Sequence, residues 1–248
     1  MALPLADKVA LVTGGSRGIG AAIVRRLALD GASVAFTFHR SLREAEALAE
    51  EWKGAAGRTV RAYAADAADP DAMGLLVERV VAEFGRIDIL VNNAGTYSQG
   101  EIGEIAPEEF RRVIRINVEA VFSLTNAAVR VMGPGSRIVN VSSVLGERAA
   151  APGVGVYNAS KFAVTGLSRS WAKDLGKKGI LVNAVQPGPI DTDMNPADGE
   201  HAEVARRRTA LGRFGRAEEV AGAVAFLAGP DATYVTGAVL NVDGGFNA

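Results

Sequence analysis

The chain of 248 residues has no cysteine and only two histidines. The first absence excludes disulfides, thiolate metal sites and a cysteine nucleophile, and it fits a reducing compartment. The second leaves little for an imidazole metal site, and no metal is expected. Excess charge is missing as well: 27 Lys and Arg stand against 28 Asp and Glu, a net charge of -1. No bulk field is left to hold nucleic acid or an anionic membrane. No apolar run approaches the ~20 residues of a membrane span. The opening MALPLADK lacks a basic stretch followed by an apolar one, so no secretory leader is expected. Hydrophobic residues make up 48%, which argues against disorder. These absences lead to a soluble, cytoplasmic, globular protein with one domain over residues 1–248.

What the chain does have is alternation. Short apolar runs at Val9–Val12, Ser33–Phe38, Val60–Ala65, Ile87–Val91, Arg137–Val141, Ile180–Val185 and Ala238–Val242 read as strands. Several are nearly continuous in apolar residues, as strands covered on both faces must be. Between them lie helical stretches: Ala21–Ala28, Arg43–Trp52, Tyr157–Leu175 and Glu218–Leu227. Asp69-Pro70 opens one more to about Phe84, and Pro107 another to about Val131. Strand–helix alternation predicts right-handed βαβ units, hence an α/β class with a doubly wound, seven-stranded parallel sheet. Pro187–Arg213, rich in Pro, Gly and Asp at its start, reads as a loop or lid.

After the first strand comes Thr13-Gly14-Gly15-Ser16-Arg17-Gly18-Ile19-Gly20, then a helix. A glycine-rich turn feeding a helix N-terminus makes an anion site from backbone N–H groups and the helix dipole. Gly14 serves the tight turn, Gly18 the close approach of a pyrophosphate, and Gly20 the packing of helix on strand. Gly15 to Gly20 has the spacing of a P-loop, but Ala21-Ala22 stand where Lys and Ser/Thr are needed. Gly14-Gly15-Ser16-Arg17-Gly18 also fits a nucleophile elbow, with His201 as the downstream base of an esterase. That remote alternative leaves the constellations below unexplained. A turn without a ligand is the plainest alternative. The spacing T-G-x-x-x-G-x-G resembles the short-chain dehydrogenase/reductase family, and the resemblance extends from Val9 to the end of the sequence. It implies a single-domain Rossmann fold that binds NAD(H) or NADP(H), with Ser16 and Ile19 among the cofactor-binding residues.

An acid at the end of the second strand would select NAD by bonding the ribose 2′-OH. Counting from Gly31-Ala32, that position is Phe38, and no acid follows until Glu44. His39, Arg40 and Ser41 come instead, with Arg17 in the glycine turn. Two guanidinium groups suit a 2′-phosphate, so the cofactor expected is NADP(H). By resemblance, Asp66 contacts adenine, and Asn93, Ala94 and Gly95 of Asn92-Asn93-Ala94-Gly95 let the backbone approach the cofactor.

Tyr157 and Lys161 stand four apart on a helical stretch and share a face. A nearby ammonium is expected to lower the phenol pKa from ~10. Ser142 and Ser143 end the fifth strand, where ligand crevices of open α/β sheets lie. The family's serine aligns with Ser143, and Ser142 stays a minor alternative. Asn117 breaks the apolar pattern of its helix, and the family places there an Asn that interrupts the helix and holds a water near the active-site Lys. The resemblance thus implies catalytic Asn117, Ser143, Tyr157 and Lys161, with Tyr157 and Lys161 also meeting the cofactor, Lys161 at the nicotinamide ribose. It further implies contacts from Pro187, Gly188, Ile190 and Thr192, with the Ile190 backbone at the carboxamide and Thr192 near the phosphates.

The expected activity is NADPH-dependent reduction of a small-molecule ketone, or the reverse oxidation of a secondary alcohol. The alternatives are a 3-oxoacyl carrier-protein reductase and a non-catalytic NADP-binding module. An acidic carrier protein needs a basic docking surface, and Met132–Arg137 carries little charge, with Lys177-Lys178 a modest second spot. Arg206-Arg207-Arg208 reads as a solvated helix face rather than an anion site. Ala159, Ala163 and Gly166 suit close helix packing, and the family implies a homotetramer. The ending Tyr234–Gly245 matches a final strand that often joins a subunit contact.

Overall fold

A computed structural model describes residues 3–55, 57–149, 151–199 and 202–248, so His201 lies outside the described residues. Its strands are β1 (Val9–Val12), β2 (Ser33–Phe38), β3 (Val60–Ala64), β4 (Ile89–Asn92), β5 (Arg137–Val141), β6 (Leu181–Pro187) and β7 (Val239–Val242). They form one parallel sheet in the order β3-β2-β1-β4-β5-β6-β7. The continuous apolar runs explain the burial, since every residue of β1, β4 and β5 is covered.

One face carries α1 (Gly18–Leu29), α2 (Leu42–Glu50) and α8 (Ala217–Ala228), packed through Ile23, Leu27, Leu48 and Val224 onto Phe36 and Val91. The other carries α3 (Pro70–Phe84), α5 (Ala120–Ala128) and α6 (Gly155–Gly176), whose Leu76, Val80, Leu124 and Leu175 meet Leu11 and Ile138. Asp69 caps α3 as its sequence predicts, accepting from the N–H groups of Asp71 and Ala72 at 3.0 and 3.3 Å. Gly85 ends it at φ 81°.

Two elements depart from expectation. The helix expected from Pro107 to about Val131 is divided into α4 (Pro107–Ile114), a π turn at Arg115–Glu119, and α5. Asn117 sits in the middle of that π turn, bonded to Thr96 rather than facing solvent. The wider turn accommodates one extra residue, a feature frequent at functional sites. The expected lid also holds a short helix, α7 (Ala202–Arg208). Among the described residues no helix is long and apolar enough to cross a membrane.

The strand order reverses between β1 and β4, and ligands of open α/β sheets bind outside the carboxyl ends of the strands at such a switch point. The turns after β1, β2, β4, β5 and β6 all emerge on that edge.

Candidate active site

These turns line one cleft of about 1180 Å³. Every cofactor-binding and catalytic residue expected from the sequence lines it except Asn117. The glycine turn is built by close backbone approach. Gly14 has φ +63°, and its N–H donates to Thr37 Oγ1 at 3.0 Å. A Cβ on Gly20 would lie 2.0 Å from the Gly14 carbonyl oxygen, so only glycine lets α1 start so near β1. Arg17, at the N-cap of α1, makes no capping bond with its side chain, and the first turn holds no acid. The positive end of α1 therefore meets the cleft uncompensated by protein charge. Thr192 faces this turn, since a Cβ on Gly18 would stand 3.4 Å from its Cγ2.

Asn93 supports the turn from behind. Its Nδ2 donates to the carbonyls of Thr13 and Gly14 at 2.9 and 3.1 Å, while Thr13 Oγ1 accepts from the N–H groups of Asn93 and Ala94 at 3.0 Å each. Its side chain thus braces the cradle, and Ala94 and Gly95 present bare backbone.

At the other end of the cleft Phe38 is buried, while His39 and Arg40 are exposed. Ser41 precedes α2 but makes no capping bond, which leaves its hydroxyl available. Asp66 Oδ1 accepts from Ala68 N–H at 2.8 Å, and its Oδ2 lies 3.6 Å from His39 Nε2. Arg17 reaches across the cleft to Asp193 at 3.6 Å, an exposed pair that holds it only weakly.

The two serines after β5 separate cleanly. Ser142 points inward, where its Oγ donates to the Lys161 carbonyl at 2.9 Å and lies 3.1 Å from Thr165 Oγ1. Ser143 faces the cleft and accepts from Leu145 N–H at 3.1 Å, with its hydroxyl close enough to the Tyr157 phenol to favour the phenolate. Successive residues of extended chain point to opposite faces, so one hydroxyl anchors α6 and the other meets Tyr157. Lys161 is buried, with Nζ donating to the Val141 carbonyl at 3.1 Å and lying 5.7 Å from the Tyr157 ring centroid. Tyr97, not anticipated from the sequence, meets the Tyr157 ring edge-on at 5.1 Å. Its only signal is its place two residues after Asn92-Asn93-Ala94-Gly95.

One expectation needs correction. The Tyr157 phenol is raised rather than lowered: burial pushes it up to about 12, against the nearby Ser143 hydroxyl, which pulls it down. Removing a phenolate's hydration costs more than this arrangement returns. The same burial brings Lys161 down to about 8, so it is still mostly an ammonium at neutral pH. Asn117 stands at an interruption of its helix, as the resemblance implies, and lies behind Gly95. Its Oδ1 accepts from Thr96 N–H at 2.8 Å, and its Nδ2 donates to the Thr96 carbonyl at 2.9 Å and Ser160 Oγ at 3.0 Å. With these bonds made, its amide ties the chain after Gly95 to α6.

After β6, Gly188 packs so tightly on the Asp243 backbone that a Cβ would come within 2.6 Å of Asp243 Cα. This locks the loop carrying the buried Ile190. The Arg206–Arg208 run is partly spent internally: Arg206 donates to the Ala197 carbonyl and Arg207 pairs with Glu203 at 3.0 Å. Arg208 lines the cleft. Among the described residues no cluster of His, Asp and Glu could hold a metal ion.

The family model described as enoyl-(acyl carrier protein) reductase matches residues 14–247. The chain is 46% identical, over 97% of its length and 98% of the other, to the cyclic-di-GMP-binding biofilm dispersal mediator protein of Escherichia coli (strain K12). A blue fluorescent protein from a metagenomic library, solved in complex with NADPH, is 52% identical with a TM-score of 0.96, over 99% of this chain and 100% of that one. A short-chain dehydrogenase from Burkholderia cenocepacia J2315, solved with NADP, is 47% identical with a TM-score of 0.96 over the same shares.

Proposed function

Because this chain belongs to the short-chain dehydrogenase/reductase family, a family of oxidoreductases, we propose that it reduces a free small-molecule ketone with NADPH and runs the reverse oxidation of a secondary alcohol. The observation that carries the reading is the meeting of Ser143, Tyr157 and Lys161 in the same cleft as an uncapped helix N-terminus.

The residues fit the cofactor. Bare backbone at Gly14 and Gly18 and the first turn of α1 suit a pyrophosphate. Arg17, His39, Arg40 and Ser41 suit a 2′-phosphate, which no acid at Phe38 would repel. Asp66 would border adenine, Lys161 the nicotinamide ribose, and Ile190 with Thr192 the carboxamide and phosphates. When bound, the reduced nicotinamide supplies a hydride.

Tyr157 gives its hydroxyl proton to the alkoxide oxygen that develops on the ketone. Ser143 hydrogen-bonds that oxygen and orients the carbonyl. Lys161 keeps positive charge beside the phenol as it loses its proton. Asn117 acts one layer behind, holding the Thr96 backbone and Ser160 in place.

A carrier-protein substrate is the lesser reading. The basic pair Lys177-Lys178 follows the far end of α6, ~30 Å from Tyr157 at the rise of a helix. The cleft that holds the catalytic groups is also lined by Leu145, Val154, Met194 and Val204, apolar side chains that suit a free apolar ketone. The Escherichia coli relative's name speaks of cyclic-di-GMP binding. For this chain the convergence of three catalytic side chains favours turnover over binding alone. Following NADPH consumption with a ketone panel and an acetoacetyl-carrier protein tests the choice. Free ketones are expected to react faster, and a rate far higher on the carrier protein would reverse it.

The phenol's high pKa sets the pH behaviour. Protonated tyrosine is the form reduction needs, so ketone reduction is expected to stay flat through neutral pH. Oxidation needs the phenolate, so it is expected to rise with pH, by up to about tenfold per pH unit, until Lys161, at about 8, begins to lose its charge. Initial rates in both directions from about pH 6 to 10 check this. A reduction rate that halves near neutrality would contradict it.

The family's homotetramer is proposed for this chain as well. Ala159 and Gly166 are exposed on α6 beside Phe162, which is also exposed, as is Phe122 of α5. Size-exclusion chromatography with light scattering should return four chains, and a monomer mass would contradict it.

A further inference from the structure

We propose that Phe246 is a specificity-determining residue, a fixed wall at the substrate end of the cleft that limits the size of the group carried on the ketone carbon. The inference rests on the reductase reading above.

Phe246 lines the cleft while keeping only 9% of its surface exposed. Its position is set by the turn that follows β7. Asp243 organises that turn, its Oδ1 accepting from Gly245 N–H at 2.9 Å and its Oδ2 from Asn247 N–H at 3.0 Å. Gly244 and Gly245 take φ +62° and +80°, left-handed values that side chains resist. A Cβ on Gly245 would come within 2.7 Å of Ala210 Cβ, so the turn is seated against the segment after α7.

On its other side the turn is tied to the serine. Asn247 Nδ2 donates to the Val144 carbonyl at 3.1 Å, one residue after Ser143, and lies 3.4 Å from Glu147 Oε2. The Arg148 guanidinium stands 6.0 Å from the Phe246 ring centroid. The backbone is therefore pinned on both sides of the ring, to Asp243 and to the turn that carries Ser143. A side chain held in this way is a rigid boundary rather than a flap, and its distance from the Ser143 hydroxyl is fixed by the same bonds. A ketone substituent that reaches the ring must stop there, because packed interiors yield little.

The test uses acetophenone and butyrophenone, which differ only in the alkyl arm. kcat/KM for both is measured with NADPH in the wild type, Phe246→Ala and Phe246→Leu. The butyrophenone-to-acetophenone ratio is expected to rise about tenfold or more in Phe246→Ala and less in Phe246→Leu. NADPH affinity, read by fluorescence titration, should not change. The leucine variant serves if the alanine variant does not fold. A ratio within about twofold of the wild type in the folded variants overturns the proposal. Saturation-transfer NMR of the same two ketones reads binding without turnover. If no protein, wild type included, reduces either ketone, the reductase reading falls. In that case a binding preference shifted toward butyrophenone in the variants upholds the wall, and an unshifted one removes it.

Discussion

Replacing Tyr157 with phenylalanine is expected to lower kcat for ketone reduction by about a thousandfold, within the range that a positioned general acid contributes. NADPH affinity should stay within about twofold, since only a hydroxyl is removed and the interaction lost is one made in the transition state. The ring keeps its place, because the edge-on contact with Tyr97 at 5.1 Å does not involve the oxygen. Ser143 keeps its contact with Leu145. Stopped-flow reduction and a fluorescence titration of NADPH separate the two effects. A variant with near-wild-type turnover would remove Tyr157 from the chemistry.

Arg40→Ala is expected to lower kcat/KM for NADPH by about tenfold. Hydrogen bonds to charged groups are worth about 1.5–3 kcal/mol, and 1.4 kcal/mol is a factor of ten. The lower end applies because Arg40 is exposed and water screens it. The value with NADH should change less than about threefold, since no 2′-phosphate is present to lose the contact. Arg17→Ala should act in the same direction and also release Asp193, its partner at 3.6 Å. Steady-state kinetics with both nucleotides decide the matter. A wild type that prefers NADH tenfold would reverse the cofactor assignment.

The strands were readable as runs rich in apolar residues, continuous where β1, β4 and β5 are covered on both faces, but their ends were set by particular bonds. Apolar Ile87 suggests that β4 starts early, yet it begins at Ile89 because the Asp88 carboxylate accepts the Val9 N–H at 2.9 Å in place of a strand partner. β6 runs on to Pro187 through polar Gln186 because the pairing Gln186 with Asn241 and Pro187 with Val242 continues past the apolar run. Hydropathy carries no trace of either.

Site residues fared according to how far their partners lie along the chain. Tyr157 and Lys161 are one helical turn apart, so spacing alone put them on one face. The choice between Ser142 and Ser143 needed the Lys161 carbonyl, which only the folded chain brings to Ser142. Asn117 was found as an oddity in its helix, but its removal from the cleft depends on Thr96 and Ser160, which no local pattern links to it. The direction of the Tyr157 pKa depended on burial, a tertiary property that residue spacing does not carry. Tyr97 and Phe246 are single aromatics outside any periodic stretch, and their place in the cleft follows from the turns around them.

The most direct measurement is mass spectrometry of the alcohol formed from a ketone with NADPH deuterated at the transferable position of its nicotinamide ring. Hydride transfer in this cleft predicts an alcohol carrying deuterium on the former carbonyl carbon with the wild type, and almost none formed with Tyr157→Phe. An unlabelled alcohol from the wild type, or no alcohol from any ketone tried, would contradict it.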